Sequence, residues 1–307
     1  MALLNRQLSI AALLCFFPAL LFSSEANWWG VAKGGASFKH LALATETRSA
    51  ALSGAGVAWS GRGIASMQPA MQAAEPLRLA FHRTWLPEEV GAKLDRFEVM
   101  SGSGKNGFSF AGEMIGYDEI EGYDDDGNRV GDYGAGAWQL NATFSRNLGV
   151  WRWGARIAGG QFEIEEADSW AMMGDFGITR DLPLGFRLGT ALRHLGWATA
   201  FVKDEPSLPT ELAVGLVQEG SWRNRWISWS LGVDLRRRNG DGLAAVTALE
   251  LLWNDRIAVR VGYPFGEDHP GLSGGFGLRS RWIDADYAVI SDGLYSLRHQ
   301  LGLSLLL

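Results

Sequence analysis

The sequence holds one cysteine, Cys15, and it falls inside an N-terminal stretch that reads as a removable leader. A mature chain without cysteine cannot be a disulfide-stapled secreted module, and it has no thiolates for a metal site. Positive charge is also in deficit, with 28 Lys+Arg against 34 Asp+Glu and a net charge of −6. A surface that grips nucleic-acid phosphates needs the opposite balance, so no nucleic-acid partner is expected. Beyond the leader no uncharged apolar run reaches the roughly 20 residues that a membrane helix requires. Disorder is excluded too, because 47% of the residues are hydrophobic and can bury enough surface to fold.

Glycine and tryptophan are what the chain has in excess, 40 and 14 of 307 residues, a pairing that suits strands with rings anchored at a boundary. Residues 1–26 read as a secretory signal peptide. Arg6 supplies the positive start, Leu8 to Phe22 the apolar stretch and Ser24-Glu25-Ala26 a small-x-small cleavage site. Cys15 follows Leu13 and Leu14 rather than a small residue, so lipidation is not expected.

From residue 77 onward apolar and polar residues alternate with period two. Ile257, Val259, Val261 and Tyr263 fall on one face, and Arg256, Ala258, Arg260 and Gly262 on the other. Ile227, Trp229, Leu231, Val233 and Leu235 repeat the pattern, as do Leu297, Leu301, Leu303, Leu305 and Leu307. Turn signals cut this region into segments at 77–86, 92–101, 106–117, 134–146, 150–163, 168–180, 184–198, 208–219, 225–236, 243–254, 256–265, 271–282, 283–291 and 296–306. An even number of strands of about ten residues predicts an all-β fold, a closed antiparallel transmembrane β-barrel of about 14 strands over residues 77–307. Closure is what leaves no strand edge unpaired in lipid. The expected location is the outer membrane of a Gram-negative-type bacterium, with its lipid as partner.

Two further patterns agree with closure. Tight connections such as Asn147-Leu148-Gly149, Asp181-Leu182-Pro183 and Asn254-Asp255 alternate with longer polar ones at 118–133, 201–207 and 266–270. Short periplasmic turns and long external loops produce that asymmetry. With both termini in the periplasm, Trp151, Trp153, Trp226, Trp253 and Trp282 come near one set of strand ends. Trp85, Trp138, Trp170 and Trp197 come near the other, which makes two interfacial girdles.

The inward face of such a barrel is charged. Arg78, Arg152, Arg156, Arg187, Arg193, Arg256, Arg260, Arg279, Arg281 and Arg298 fall on the polar side of the alternation, with Asp234, Glu250, Asp284 and Asp286. Two readings stand: an ion-pair network holding a plug to the wall, or a pathway for an anionic or amphipathic ligand. Residues 27–76 show no sustained alternation but are rich in small residues, including Gly54, Ala55, Gly56, Pro69 and Ala70. This stretch is too apolar for a free linker and is expected to fill the barrel as a plug or hatch.

The run Thr47-Arg48-Ser49-Ala50-Ala51-Leu52-Ser53-Gly54-Ala55-Gly56-Val57-Ala58, followed by Gln68-Pro69-Ala70, resembles the opening of PorV/PorQ-type outer-membrane proteins of the FadL-like barrel class. Later echoes are His194-Leu195-Gly196, Leu208-Pro209 and Glu250 with Arg260-Val261-Gly262-Tyr263. The chain departs from the pattern at Gln68, where the family has Asn, and at Leu307, where it ends in Phe. The resemblance implies a fourteen-stranded barrel with an N-terminal plug. It implies a role in type IX-like protein export, docking exported proteins or other secretion components at the external loops. The alternative it carries is a FadL-like transporter of hydrophobic solutes. Docking would use the loop residues Tyr117, Tyr123, Asp124, Asp125, Asp126 and Tyr133, where acidic charge steers and rings give contact area.

No catalytic, cofactor or metal site is expected. Asp124, Asp126 and Asn128 have part of a calcium-loop spacing, but Arg129 stands where glycine is required. His40, His82, His194, His269 and His299 show no metal-ligand spacing, and no serine sits in a G-x-S-x-G elbow. An outer-leaflet lipid deacylase is the remaining enzymatic alternative, with His82 as its candidate base. Glycine-rich stretches at 102–116 and 271–277 could kink the wall to open a side exit for a solute.

Overall fold

The computed structural model describes residues 38–71, 77–124, 126–201, 206–222, 226–266, 271–291 and 296–307. The leader expected at 1–26 lies outside the described residues.

Fourteen strands close into one barrel, each hydrogen-bonded to antiparallel neighbours. They are β1 (Arg78–Trp85), β2 (Ala92–Gly102), β3 (Asn106–Tyr117), β6 (Ala135–Leu148), β7 (Trp151–Ile164), β8 (Ala167–Asp181) and β9 (Phe186–Ala198). The wall continues with β10 (Glu211–Trp222), β11 (Ile227–Arg238), β12 (Leu243–Trp253), β13 (Ile257–Phe265), β14 (Ser273–Arg279), β15 (Ile283–Ser291) and β16 (Leu297–Leu306). Between β3 and β6 the chain forms a separate hairpin, β4 (Ile120–Tyr123) and β5 (Arg129–Tyr133). The last strand returns to the first, in register from Arg78↔Leu306 to Trp85↔His299. Among the described residues the barrel has no open strand edge.

Burial follows the alternation, with the usual order of a soluble protein reversed. Along β1, Arg78, Ala80, His82 and Thr84 are buried while Leu79 and Trp85 are exposed. Phe110 is 66% exposed and Ile157 70%. With Phe97, Phe108, Met114, Leu140, Trp170, Met172, Val259 and Phe276, they belong to an exposed apolar exterior. Leaving these ten side chains half in water would forgo on the order of 10–20 kcal/mol. That equals or exceeds the whole stability of a folded domain, about 5–15 kcal/mol. Hydrocarbon removes the deficit. The protein is an outer-membrane β-barrel.

The turns that join β2–β3, β6–β7, β8–β9, β12–β13 and β14–β15 are tight, and they share one end of the barrel, here the short-turn end. β3 ends and β6 begins at the opposite, long-loop end, as do the end of β9 and the start of β10. The hairpin β4–β5 differs from the plain loop expected at 118–133. Its turn is self-built: the Asp124 carboxylate accepts the amides of Asp126 and Asn128 at 3.0 and 2.8 Å, and Gly127 takes φ +81°. In the glycine-rich stretches expected to kink, β3 and β14 pair with their neighbours without register shifts, so no bulge interrupts either strand. The irregularity falls between β8 and β9 instead, where the register slips between Gly174 and Phe176. There His194 adopts φ 55°, and its amide donates to Asp175 Oδ1 at 2.7 Å.

Residues 38–71 are short turns around one helix, α1 (Thr47–Ala51). Leu52, Ala55, Ala58, Trp59 and Ile64 join Val217, Val246 and Ala248 of the wall in one apolar cluster. A Cβ at Gly189 of β9 would overlap the Val57 carbonyl, and one at Gly154 of β7 would overlap that of Pro69. Leu52 presses on Gly262 of β13 and Thr47 on Gly302 of β16, so the segment meets strands spaced around the barrel.

Candidate functional site

The buried faces of the strands carry their charge toward residues 38–71. Helix α1 is one and a half turns long and serves to aim Arg48. Arg48 Nη2 and Nε donate to Glu250 Oε1 and Oε2 at 2.8 and 2.9 Å, a bidentate pair. Its Nη1 donates to the carbonyls of Ser60 and Arg62 at 2.6 and 3.0 Å, and its guanidinium stands 6.0 Å from the Trp59 ring. Glu250 also accepts Arg260 Nε at 2.6 Å and has Arg279 at 3.7 Å, and Arg260 continues to Asp286 at 2.5 Å. Alternation explains the wall's share of this cluster. Glu250↔Arg260 are cross-strand partners whose side chains point the same way.

Further ties run around the circumference. Asp234 accepts the amides of Gly56 and Val57 at 2.8 and 3.0 Å. Arg62 pairs with Asp284 at 2.8 Å, and Ser60 donates to Glu219 at 2.6 Å. Arg187 joins Asp181 and Glu219, and Arg152 joins Asp181 at 2.6 Å. Arg156 pairs with Asp175 at 2.8 Å and donates to the carbonyls of Ala65 and Ser66. Arg193 holds Glu211 and lies 2.9 Å from the Met67 sulfur. Arg78 donates to Ser304 at 2.8 Å. Replacing a buried ion pair by apolar side chains is often neutral, whereas removing one partner alone costs about 3–5 kcal/mol. The network therefore fixes position more than it adds stability.

Two expected members are elsewhere. Arg256 and Arg281 sit in turns at the short-turn end and are exposed, and the Arg281 guanidinium lies 4.7 Å over the Trp282 ring. Alternation ends where a strand ends, so a turn residue has no inward face to occupy. Conversely, Arg48, Asp175, Glu211 and the group of Arg96 with Glu98 and Glu113 were not among the expected site residues. The i, i+2 spacing of Arg96 and Glu98 was the available signal.

Of the small residues expected in a plug, Gly54 takes φ +78° close to Arg236, and a Cβ at Gly56 would overlap Met67. Ala55 and Ala70 are fully buried, and Pro69 opens a short turn (Pro69–Met71) against the wall. At the long-loop end, Tyr117 closes β3, while Tyr123, Asp124 and Tyr133 belong to the β4–β5 hairpin and Asp126 to its turn. Asp125 lies outside the described residues. Amide donors from Asn128 and Asp126 hold the Asp124 carboxyl below the usual aspartate range. The neighbouring Glu121 carboxylate, which accepts from Tyr123 Oη at 2.6 Å, raises that phenol. His82 Nδ1 lies 3.0 Å from the Thr47 hydroxyl, with both side chains buried. Among the described residues no cluster of three or more His, Cys, Asp or Glu could hold a metal.

A cavity of about 190 Å³ lies between the N-terminal segment and the long-loop end. Lys39, Leu43, Ser53, Arg236, Arg238, Ile290 and Arg298 are among its lining. A second space, about 20 Å³ and polar, lies beside the β8–β9 irregularity between Glu113, Arg156, Asp175 and His194.

No family model and no curated protein matches the sequence. Solved structures do match its fold. The chain is similar to the Ralstonia pickettii toluene transporter TbuX at 13% identity, over 85% of this chain and 98% of that one, with a TM-score of 0.62. It is similar to the Pseudomonas putida toluene transporter TodX at 12% identity, over 83% and 95%, with a TM-score of 0.60. A Pseudomonas aeruginosa FadL homologue aligns at 10% identity, over 85% and 97%, with a TM-score of 0.51. These matches overturn the PorV/PorQ resemblance, and with it the expected type IX-like docking of exported proteins at the external loops. The physical reason lies in the Gly-Ala run that suggested it. Gly54, Ala55 and Gly56 are small because Arg236, Met67 and the wall crowd them. Any segment packed this closely against strands meets that demand, so the run does not mark one family.

Proposed function

We propose that the protein is a transporter that passes small hydrophobic solutes across the outer membrane, without enzymatic chemistry. The observation that carries this reading is the fold, which aligns with almost the full length of the toluene transporters TbuX and TodX. Within it, residues 1–26 act as the export signal, residues 27–76 as a plug inside the lumen, and residues 77–307 as the barrel. The tight turns face the periplasm and the β4–β5 hairpin faces the exterior. The ring of ties from Arg48, Gly56, Arg62 and Ser66 to the wall supports the plug, because a segment so held stops free passage of ions and water. A solute arriving from outside first meets the cavity above that plug. The lumen charge network positions the plug, and the apolar exterior meets membrane lipid.

Uptake of labelled toluene by cells that lack other such barrels tests the reading. Expression of this chain raises the initial uptake rate. Uptake equal to that of the empty vector, with the barrel verified in the outer membrane, contradicts it.

A further inference from the structure

Tryptophans gather at both edges of the lipid-facing wall, and the two groups keep different company. At the long-loop end Trp170 Nε1 donates to Asp168 at 3.1 Å and Trp138 Nε1 to Gln161 at 3.3 Å. Gln161 donates in turn to the same Asp168 carboxylate at 3.0 Å. At the short-turn end the rings are met by guanidiniums instead. Arg180 lies 4.9 Å over Trp151, and Arg281 lies 4.7 Å over Trp282. Arg146, on the outer face of β6, is the cross-strand partner of Trp153. Lys105 and Arg256 stand exposed in the tight turns. Asp255 is the one exposed acidic side chain of those turns among the described residues.

Inside the barrel at this same end, Arg152 and Arg187 share the Asp181 carboxylate. Outside it the arrangement is different. Among the described residues none of Lys105, Arg146, Arg180, Arg256 and Arg281 forms an ion pair. Stacking on a ring does not occupy their donors, because a cation–π contact uses the face of the guanidinium and leaves its N–H edge free.

Tryptophan settles at the level of lipid headgroups, and a long cationic side chain starting from that level reaches the phosphates. A guanidinium meets a phosphate through two parallel N–H···O bonds. Each Arg or Lys near an anionic lipid surface strengthens attraction by about fivefold. A zwitterionic headgroup carries the same phosphate with its own ammonium beside it, so the charge balance favours lipids that lack the ammonium.

We propose that the short-turn end is a docking collar for anionic phospholipids, whose headgroup phosphates are taken by Arg146, Arg180, Arg256 and Arg281, with Lys105 adding charge. The inference rests on the membrane-spanning fold and is independent of what the barrel transports. The opposite girdle, with Asp168 between its rings, offers such lipids no matching charge.

Electron spin resonance of the full-length protein reconstituted in phosphatidylcholine tests it, with chain-labelled phosphatidylglycerol and phosphatidylcholine as probes. The protein holds labelled phosphatidylglycerol in preference to phosphatidylcholine, and the preference shrinks as salt rises. Arg146→Gln, Arg180→Gln, Arg256→Gln and Arg281→Gln combined abolish it. Where that variant fails to fold, Arg256→Gln with Arg281→Gln, both in exposed turns, lowers the preference part of the way. Lys93→Gln, beside Trp85 in the other girdle and 3.7 Å from Asp118, leaves it unchanged. No preference in the wild type overturns the inference, and so does a folded arginine variant that keeps the wild-type preference. Lys93→Gln as damaging as the two turn changes points to diffuse charge and also overturns it. Inorganic phosphate that removes the preference where chloride of equal ionic strength does not would assign these arginines to a free anion, against the proposal.

Discussion

Arg48 and Glu250 lie 202 positions apart in the chain and meet in two hydrogen bonds of 2.9 and 2.8 Å, both side chains buried. Glu250 is at the same time the acceptor for Arg260 and a neighbour of Arg279. One wall carboxylate thus carries an arginine of the N-terminal segment and two of its own strands.

That asymmetry predicts unequal losses. Arg48→Ala leaves Glu250 with Arg260 and is expected to cost about 3–5 kcal/mol, the range for breaking a buried pair. Glu250→Ala removes the shared acceptor of three guanidiniums and costs more. Heat-modifiability on gels reads both: the folded band is lost at a lower temperature in each variant, and lowest in Glu250→Ala. Equal temperatures for the two would contradict the shared-acceptor arrangement.

Close packing of the segment gives a second test. Gly189→Ala drives a methyl into the Val57 carbonyl, whereas Gly116→Ala meets nothing within 4 Å. Overpacking costs typically 1–3 kcal/mol. Single-channel recording is the sensitive readout, since on the proposed role of this segment as a plug its displacement admits ions. Gly189→Ala is expected to raise conductance, and Gly116→Ala to leave it at the wild-type level.

How much of this was legible in the sequence depends on whether a feature is periodic. Fourteen strands could be marked out because lipid on one side and a packed interior on the other impose strict alternation, as in β13 from Ile257 to Phe265. The slip at Asp175 and His194 could not, because one extra residue reverses facing only relative to a partner strand. The β4–β5 hairpin was hidden for another reason: its acidic turn has the composition of a solvated loop, and the Asp124 bonds that shape it are side chain to backbone. Arg256 and Arg281 were misplaced at strand ends, and Arg48 was visible only as part of a small-residue motif. The cavity at the long-loop end draws Lys39, Arg236 and Arg298 from three distant parts of the chain, so no spacing announces it.

The hairpin turn should respond to acid. The Asp124 carboxyl is held below its ordinary value of 3.8, chiefly by the Asn128 amide, so its ionised form stabilises the turn. That contribution is present above the ordinary value and is lost as pH falls through the lowered one. The Asn128 amide resonance should hold its position from neutral pH down to the ordinary aspartate range and move only below it. In Asp124→Ala that acid transition disappears.

The apolar exterior makes a claim about single positions. Ile157→Arg puts a charge at a site 70% exposed on the outer face and is expected to destabilise the inserted barrel by about 2–4 kcal/mol if it lies near the bilayer midplane. Asp126→Arg, at an exposed position in the turn of the hairpin, should leave stability within about 0.5 kcal/mol. Urea unfolding in vesicles provides the comparison.

Site-directed spin labelling tests the central claim most directly, because the sequence holds one cysteine, Cys15, which can be replaced, and others can be placed at will. Labels at Ile157→Cys, Phe110→Cys and Val259→Cys in the reconstituted protein should collide with dissolved oxygen far more than with a water-soluble nickel chelate. A label at Asp126→Cys in the hairpin should show the reverse. Lipid-facing rows predict that contrast, and chelate collisions at the three wall positions equal to those at 126 would contradict a membrane-spanning barrel.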